Sequence, residues 1–239
     1  MPVYNGAKYL PHALASIDRQ RYDNIEIIVI DDGSTDESAA IARAHPRVRC
    51  ISQENQGISR SMNTGVQAAA GSIISFLDAD DWWADEKLSL QTERLAGSDA
   101  RIIAGYVQPV RFAGPAARDA VAVSPPYSLL NLGSALFRRE VFDEVGVFAP
   151  EMHLYGDWDW FLRAREMDVP ILVHPEVMLY YLRHDGNVTN EREAIRRGLL
   201  SLFRRSLARR RANPGREFPQ FGEFLAEVRQ SAPFLDMNS

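Results

Sequence analysis

Residues 25–34 read IEIIVIDDGS, and this stretch decides the class of fold. Five of its first six residues are isoleucine or valine. A nearly unbroken β-branched run of this length predicts a strand that is covered on both faces, as in a parallel sheet. The acidic turn with Gly33 that follows predicts the point where the strand ends and a helix begins.

Strand-like runs and helix-like segments alternate on both sides of this stretch. Helices of about three turns between short apolar strands are typical of βαβ units. The predicted fold class is therefore α/β, with a mostly parallel, Rossmann-like sheet flanked by helices. The strands are expected at 25–30, 48–52, 73–77 and 101–107, and the helices at 8–20, 36–45, 58–70 and 84–95.

The second half of the chain has a weaker pattern. The segment 109–126, rich in proline and alanine, is interpreted as a variable loop at the edge of the sheet. Residues 1–190 are expected to form the α/β domain, and residues 191–239 a basic helical extension broken at Asn213-Pro214-Gly215. Further helices are expected at 138–145 and 157–167, and further strands at 171–173 and 177–182.

Composition places the chain among soluble globular proteins. Its 239 residues, 46% of them hydrophobic and 10% aromatic, can bury one sizeable core, which excludes a disordered or collagen-like chain. A single cysteine, Cys50, excludes a disulfide scaffold. No run of about 18 apolar residues occurs, and Met1-Pro2 does not begin a basic and apolar leader, so the expected location is the cytoplasm.

The formal net charge of −5 is unevenly distributed. Residues 191–216 contain nine arginines and two glutamates, a local charge of +7 that leaves −12 for the rest of the chain. This separation argues against a nucleic-acid partner spread over the fold. It favours either one localised anionic partner or two charged faces packed on each other.

Three groups of aspartates fall at turns where an α/β sheet binds ligands, beyond the carboxyl ends of its strands. Asp31-Asp32 follows the first strand and also suits an ordinary turn. Asp78-Ala79-Asp80-Asp81 places three carboxylates in four residues, a set that suits Mg²⁺ or Mn²⁺ better than it suits a helix start. Asp157 begins a helical pattern and, taken alone, is equally expected as an N-cap.

Taken together, these segments resemble the family 2 glycosyltransferases, which are inverting, nucleotide-sugar-dependent enzymes of the GT-A fold. The resemblance covers residues 1–185, and its strength lies in the order of several motifs that are weak singly. The matching segments are PVYNG at 2–6, EIIVIDDGSTD at 26–36, NQG at 55–57, NTG at 63–65, FLDADD at 76–81, VGVF at 145–148 and DWD at 157–159.

The resemblance implies a donor site. The base and ribose of the nucleotide-sugar donor would be held by Pro2, Val3, Tyr4 and Asp32. The Asp-x-Asp motif would supply Asp78 for the ribose and the cation.

The same resemblance implies the metal and the base. Asp80 would be the direct ligand of Mn²⁺ or Mg²⁺, with Asp81 as an alternative ligand. His184, in a Leu-Arg-His segment, would contact the diphosphate or the metal, although an exposed loop histidine explains it equally well. Asp157 would be the catalytic base that accepts the proton of an acceptor hydroxyl.

Two departures from the family pattern qualify this assignment. The family carries a glutamate before the catalytic aspartate, and this chain has Gly156 instead. Relatives also carry four to six apolar residues ahead of the Pro-Val-Tyr segment, so either a central strand is short or the true start lies upstream of Met1. A non-catalytic protein of the same fold that only binds a nucleotide sugar is the alternative function.

The basic tail has two interpretations. Apolar residues recur at helical spacing, with arginines around the rest of the helix. Either the helix packs on the body with a solvated basic face, or it lies on anionic lipid and brings the enzyme to a glycan or lipid-linked acceptor of bacterial envelope biosynthesis. The apolar stripe consists of Ile195, Leu199, Leu202, Phe203 and Leu207.

Overall fold

Two β-sheets with helices packed on them make up the part of the chain that the structure describes, and the predicted α/β class is confirmed. This computed structural model describes residues 1–113, 119–128, 131–152, 154–187 and 192–218. The strands are β1 (Pro2–Val3), β2 (Ile27–Asp31), β3 (Val48–Ser52), β4 (Ile73–Ile74), β5 (Trp82–Trp83), β6 (Ile102–Phe112), β7 (Ala120–Ala122), β8 (Ala135–Arg138) and β9 (Ile171–Leu182). The helices are α1 (Leu10–Asp18), α2 (Ser38–Ala44), α3 (Ile58–Ala68), α4 (Lys87–Ala96), α5 (Glu140–Val145), α6 (Gly156–Glu166) and α7 (Arg192–Ala212).

The first sheet is parallel and has the strand order β1-β2-β3. Every residue of β2 is buried, as expected for a β-branched strand that is covered on both faces. Val3 pairs with Asp31 on one side of β2, and Asp31 pairs with Ser52 on the other. All three strands therefore end at the same edge, where Asp31 and Asp32 lie.

The second sheet is mixed, with the order β4-β8-β6-β9-β5 and with β7 added on β6. Only the β6–β9 pair is parallel among its strands, so the predicted parallel arrangement holds for the first sheet and for that pair. The sequence pattern missed β5 and β8 because strands of two and four residues are too short to show a period.

Strand β9 is continuous across Pro175, where two separate strands were predicted. Its register with β6 shifts on either side of Tyr106, next to Gly105. A Cβ atom on Gly105 would lie 2.2 Å from the Met178 side chain and 2.8 Å from the Glu176 carbonyl oxygen. The glycine lets the two strands approach at the irregularity, as glycines often do at bulges.

The loop predicted at 109–126 is wrong over 109–112 and 120–122, which are strands, whereas residues 123–126 have no regular structure. Strand β6 continues to Phe112, and Ala120–Ala122 pairs with it, so that Phe112 lies opposite Ala120. Residues 114–118 lie outside the described part of the chain. The alanine- and proline-rich composition concealed a short antiparallel hairpin.

Aromatic side chains hold the second sheet against α5 and α6. Trp160 and Phe161 are fully buried, and Trp160 packs on Phe137, Phe142 and Phe148 at ring separations of 4.8 to 5.8 Å. The Trp160 Nε1 donates to the Gly146 carbonyl at 2.8 Å, which satisfies its polar atom in the core. This cluster fixes the inner face of α6.

The outer face of α6 is held by ion pairs to α7. The fully buried carboxylate of Asp159 accepts from Arg209 at 2.9 Å, Arg163 at 3.1 Å and Arg205 at 3.2 Å. Arg209 also pairs with Glu166 at 2.5 Å. Part of the positive charge of the tail is therefore paired with the acidic body, which confirms the interpretation of two packed charged faces.

The apolar stripe predicted for α7 is only partly correct. Leu202 is fully buried and Leu199 packs against the cluster that contains Tyr155 and Trp158. Leu207, in contrast, is 50% exposed because the helix turns it away from α6. Among the described residues no helix combines the length and the apolarity needed to cross a membrane.

A cavity of about 600 Å³ lies between the first sheet and β4. Apolar side chains of Ile28, Met62 and Phe76 contribute to its lining. None of the aspartates identified from the sequence borders it. Pro2 is the one residue of the implied donor site that lines the cavity.

We predict that Arg209→Ala lowers the free energy of unfolding by about 2–3 kcal/mol, because it removes charged hydrogen bonds from Asp159 and Glu166, whose carboxylates stay buried. Urea denaturation would measure the loss. Arg204→Ala, at an exposed position of the same helix, is the matched control. Equal effects of the two variants would contradict a specific role for the ion network.

Candidate functional site

Asp32 joins the end of β2 to the start of α3. Its buried carboxylate accepts from the Gln53 side chain at 2.7 Å and from the backbone N–H groups of Gln56 and Gly57 at 3.0 and 2.8 Å. Gly57 has a φ of 87°, which favours glycine at this turn. A carboxylate has about four acceptor positions, so one of them is left for a ligand.

The Pro-Val-Tyr segment lies beside this turn. Pro2 and Val3 form β1, and the Val3 side chain is part of the core, so only its backbone faces the strand end. Tyr4 is 54% exposed at the same edge. The backbone N–H of Asn5 donates to the Ser34 hydroxyl at 3.0 Å, which binds this segment to the turn after β2.

Gly6 brings the Pro-Val-Tyr segment against the Asp-x-Asp motif. A Cβ atom at this position would lie 2.9 Å from the Val3 side chain and 3.3 Å from the Cβ of Ala79. The segment can therefore approach the motif only without a side chain at position 6. Three chain segments that are far apart in the sequence meet at this edge.

Asp78 is crowded by negative charge. Burial, followed by the charges of Asp80 and Asp157, raises its pKa from an ordinary value of 3.8 to about 7, against the opposing effect of the N-terminal ammonium group. Asp157 lies 79 residues away in the sequence. Its influence on the pKa of Asp78 indicates that the fold brings the predicted base near the predicted metal ligands. A buried group of carboxylates is stabilised by a cation or by proton uptake.

Asp80 and Asp81 have different surroundings. The Oδ1 of Asp81 accepts from the backbone N–H of Leu182 at 2.9 Å, and burial holds the pKa of this carboxyl well above its usual range. Asp80 is partly exposed and pairs with His184 at 3.0 Å. The Asp81 carboxylate therefore ties the motif to β9, whereas Asp80 faces the open side.

Contacts within the site hold His184 in place, so it is not a freely exposed loop residue. Its ring stacks on Tyr9 at a centroid distance of 4.6 Å, and its Nε2 contacts Asp80. The Gly186 backbone N–H lies 3.1 Å from the other ring nitrogen. His184 is therefore held beside the predicted metal ligand.

Asp157 lies in the first turn of α6, and the N-cap position belongs to Tyr155. The alternative interpretation of Asp157 as an N-cap is therefore wrong by two residues. Burial raises the pKa of Asp157 from 3.8 to about 6, partly offset by hydrogen bonds from the backbone. A carboxylate with this pKa is ionised at neutral pH and retains more basicity than an exposed aspartate.

Gly156 has a steric explanation. A Cβ atom at this position would lie 2.6 Å from the Ser59 hydroxyl, which donates to the Met152 carbonyl at 2.9 Å. Ser59 on α3 thus occupies the space that a side chain before Asp157 would need. Sequence reasoning missed Ser59 because the two positions are 97 residues apart.

The ligands that this site offers to a divalent cation are carboxylates of the Asp-x-Asp motif. Among the described residues no three His, Cys, Asp or Glu side chains are placed to bind a metal by themselves. Mg²⁺ and Mn²⁺ at phosphate sites take one or two carboxylates and complete their shell with phosphate oxygens and water. Asp80 and Asp78 supply that number, and the raised pKa of Asp78 reflects its burial first and then the negative charges of Asp80 and Asp157. The residues fit a cation that binds together with a diphosphate.

Solved structures of glycosyltransferases share this fold. TarS of S. aureus, crystallised as residues 1–349 with UDP-GlcNAc, superposes with a TM-score of 0.69 over 99% of this chain and 74% of that one, at 18% identity. The mannosyltransferase PcManGT of Pyrobaculum calidifontis, in complex with GDP-Man and Mn²⁺, gives a TM-score of 0.68 over 98% and 68%, at 19% identity. The chain therefore has the GT-A fold.

Sequence relatives define the family. Residues 1–112 match the profile described as Glycosyl transferase family 2. A glycosyltransferase of Rickettsia typhi is 30% identical over 207 residues, which are 80% of this chain and 64% of that protein. Glycosyltransferase GlyA of Streptococcus pneumoniae is 38% identical over 109 residues, 44% of this chain and 16% of that protein. Residues 1–112 therefore belong to the family 2 glycosyltransferases, and the chain spans less than two thirds of the length of these relatives.

We predict that Asp78→Asn raises the melting temperature of the ligand-free protein at pH 8 by several degrees. The pKa of Asp78 is higher in the folded protein than in the unfolded chain. The free energy of unfolding therefore falls as pH rises from 3.8 through about 7. The advantage of the variant should therefore be absent near pH 4 and complete above pH 7. Scanning calorimetry against pH would measure it.

Asp143→Asn, at an exposed position of α5, serves as the control for the loss of one negative charge. A difference between Asp78→Asn and the unmodified protein that is the same at pH 4 and pH 8 would contradict the charge explanation.

Proposed function

We propose that the protein is a divalent-metal-dependent inverting glycosyltransferase, which moves a sugar from a nucleotide-sugar donor to a hydroxyl of a glycan or lipid-linked acceptor. One observation carries the proposal: Asp157 lies close enough to the Asp-x-Asp motif for its charge to raise the pKa of Asp78. Transfer of a sugar by in-line displacement requires a base for the acceptor hydroxyl and a cation for the leaving diphosphate. These two groups must come from different elements.

The donor is proposed to lie along the ends of the first sheet. The exposed ring of Tyr4 and the backbone of Pro2 and Val3 would hold the base, and the remaining acceptor position of Asp32 would take a donor group of the nucleoside. Asp78 would accept a hydrogen bond from the ribose. The nucleotide is proposed to be UDP, in line with the UDP-GlcNAc complex of TarS, whose support is at the level of the fold.

Asp80, with Asp78, would hold Mn²⁺ or Mg²⁺ together with the donor diphosphate, and Asp81 remains a less direct candidate. When bound, such a cation stabilises the negative charge that develops on the leaving diphosphate. The Mn²⁺ in the PcManGT complex supports this choice for a protein of the same fold. His184 is held beside Asp80 and would contact the diphosphate or the metal.

Asp157 is proposed as the catalytic base. It would accept the proton of the acceptor hydroxyl while the hydroxyl oxygen attacks the anomeric carbon, and the bond from that carbon to the diphosphate breaks on the opposite face. The anomeric configuration is inverted. Because Asp157 lies on α6, away from the strand turns, its carboxylate can stay off the metal and remain free to take the proton.

The acceptor and location are proposed from the bacterial relatives and from α7. We propose an acceptor of bacterial polysaccharide or envelope biosynthesis, and a location in the cytoplasm at the inner face of the membrane. An outward face of α7 combines arginines with leucines that are 45% and 50% exposed, as interfacial helices do. It consists of Arg196, Arg197, Leu200, Arg204, Leu207 and Arg211.

We predict that the protein releases nucleoside diphosphate from one or more of UDP-glucose, UDP-galactose, UDP-GlcNAc, GDP-mannose and a dTDP-sugar when Mn²⁺ is present. Asp157→Asn should lower the rate by roughly a hundredfold or more, since general base catalysis contributes that much. Below pH 6 the rate should fall, because protonation of a base with a pKa of about 6 removes its activity.

Asp143→Asn is the control for a remote carboxylate. Binding of a nucleotide sugar without release, with no difference between Asp157→Asn and the unmodified protein, would favour the non-catalytic alternative instead.

We predict that the protein sediments with vesicles that contain phosphatidylglycerol at low salt, and that binding weakens as salt screens the charges. Replacing Arg204 and Arg211 by Glu should remove the binding. The same two changes at Arg21 and Arg49, which are exposed on the body, form the control. No sedimentation at low salt would overturn the membrane contact and leave the proposed enzyme activity untouched.

A further inference from the structure

Tyr155 has an unusual backbone conformation directly before the proposed base. Its φ of 63° lies in the left-handed region, which residues with a side chain adopt rarely, and it is the N-cap of α6. Conformations of this kind persist where the surrounding structure holds them, often at functional sites. The residue is therefore held in place by contacts and not by local preference.

The contacts that hold Tyr155 come from two helices. Its ring packs on Trp158 at a centroid distance of 4.6 Å, within the α6 turn. On α7, a Cβ atom at Gly198 would lie 2.6 Å from the Cδ2 of Tyr155, so the ring edge lies directly on the helix backbone. The basic helix therefore supports the residue that precedes the catalytic turn.

The hydroxyl of Tyr155 is buried without a partner. The residue is 6% exposed, and no donor or acceptor among the described residues lies within hydrogen-bonding distance of its Oη atom. Buried polar atoms are nearly always paired, because an unpaired atom loses its hydrogen bonds to water and gains none within the protein. A hydroxyl left unpaired beside a substrate site indicates that the substrate completes it.

Tyr155 lies two residues before the proposed base, at the N-cap of the helix whose first turn holds Asp157. Burial raises the pKa of Tyr155 to about 12, and Asp157 and then Tyr181 act in the same direction. The phenol therefore keeps its proton at neutral pH, and it can donate a hydrogen bond. The neighbouring position cannot supply such a group, since Ser59 closes the space at Gly156.

We propose that the Tyr155 hydroxyl is a sugar-binding group of this site, which donates a hydrogen bond to a hydroxyl of the carbohydrate that reacts beside Asp157. The inference rests on the proposed function and adds a substrate contact to it. The sugar hydroxyl comes either from the donor or from the acceptor, and the chemistry of recognition is the same for both.

Tyr155→Phe tests the proposal, because it removes only the oxygen. Removal of an unpaired buried hydroxyl should leave the melting temperature unchanged or raise it. The control is Tyr22→Phe, at a partly exposed position in the connection between α1 and β2. A fall in the melting temperature of Tyr155→Phe alone would mean that the hydroxyl has a structural partner, and it would overturn the proposal.

Two measurements then separate the sources of the sugar. If the donor sugar is bound, Tyr155→Phe should weaken the binding of the nucleotide sugar about three- to tenfold and leave the binding of the nucleoside diphosphate unchanged. If the acceptor is bound, transfer to a mixture of free monosaccharides should fall by the same factor relative to hydrolysis of the donor by water.

A change in either ratio supports the proposal, and no change in both overturns it. Failure of the unmodified protein to bind or cleave any nucleotide sugar would overturn the proposed function itself, which is a different result.

Gly198→Ala provides a second test through the support from α7. Alanine favours a helix over glycine, so the helix alone would gain stability, yet the added methyl group displaces the Tyr155 ring. The variant should change the same ratio as Tyr155→Phe. Gly215→Ala is the control, since a Cβ atom there has no neighbour within 4 Å.

Discussion

The carboxylate of Asp159 is fully buried and shared by three arginines, two of which come from α7. Breaking one partner from a buried ion group leaves a charge in a medium that solvates it poorly, so such a group restrains its helices strongly. Aromatic packing of Trp160 and Phe161 restrains the same helix from the other side. The position of Asp157 in the first turn of α6 depends on both restraints.

This arrangement has an energetic cost at the strand ends. Asp78 and Asp157 both have pKa values raised by burial, and the charge of Asp157 adds to the shift at Asp78. The ligand-free site therefore stores like-charge repulsion that a cation and a donor would relieve. Proteins often hold functional groups in such an unfavourable state, and binding of a ligand then relieves the repulsion between them.

The elements predicted well are those whose information is local. The buried strand β2 follows from its unbroken β-branched run, and it is confirmed. Strands β5 and β8 were missed, because they are short and their pairing depends on partners about 100 and 31 to 65 residues away. The resemblance located the aspartates, whose individual roles stay predictions.

What no sequence pattern could provide is the steric detail of the site. The closure of position 156 by Ser59, the bond of Asp81 to Leu182 and the left-handed Tyr155 all arise from contacts between distant segments. A motif names the residue types that chemistry needs, but the surrounding packing decides which of them remain open to a ligand. Asp81 and Asp80 illustrate this, since adjacent carboxylates have opposite accessibility.

Gly198 has an evolutionary consequence. Glycine in the interior of a 21-residue helix costs about 1 kcal/mol relative to alanine, so a helix selected for its own stability would lose it. Its presence in this chain fits the aromatic ring at position 155, because a side chain at 198 would overlap that ring. In an alignment of relatives the two positions should change together, and lineages that lose the tyrosine should be free to replace the glycine.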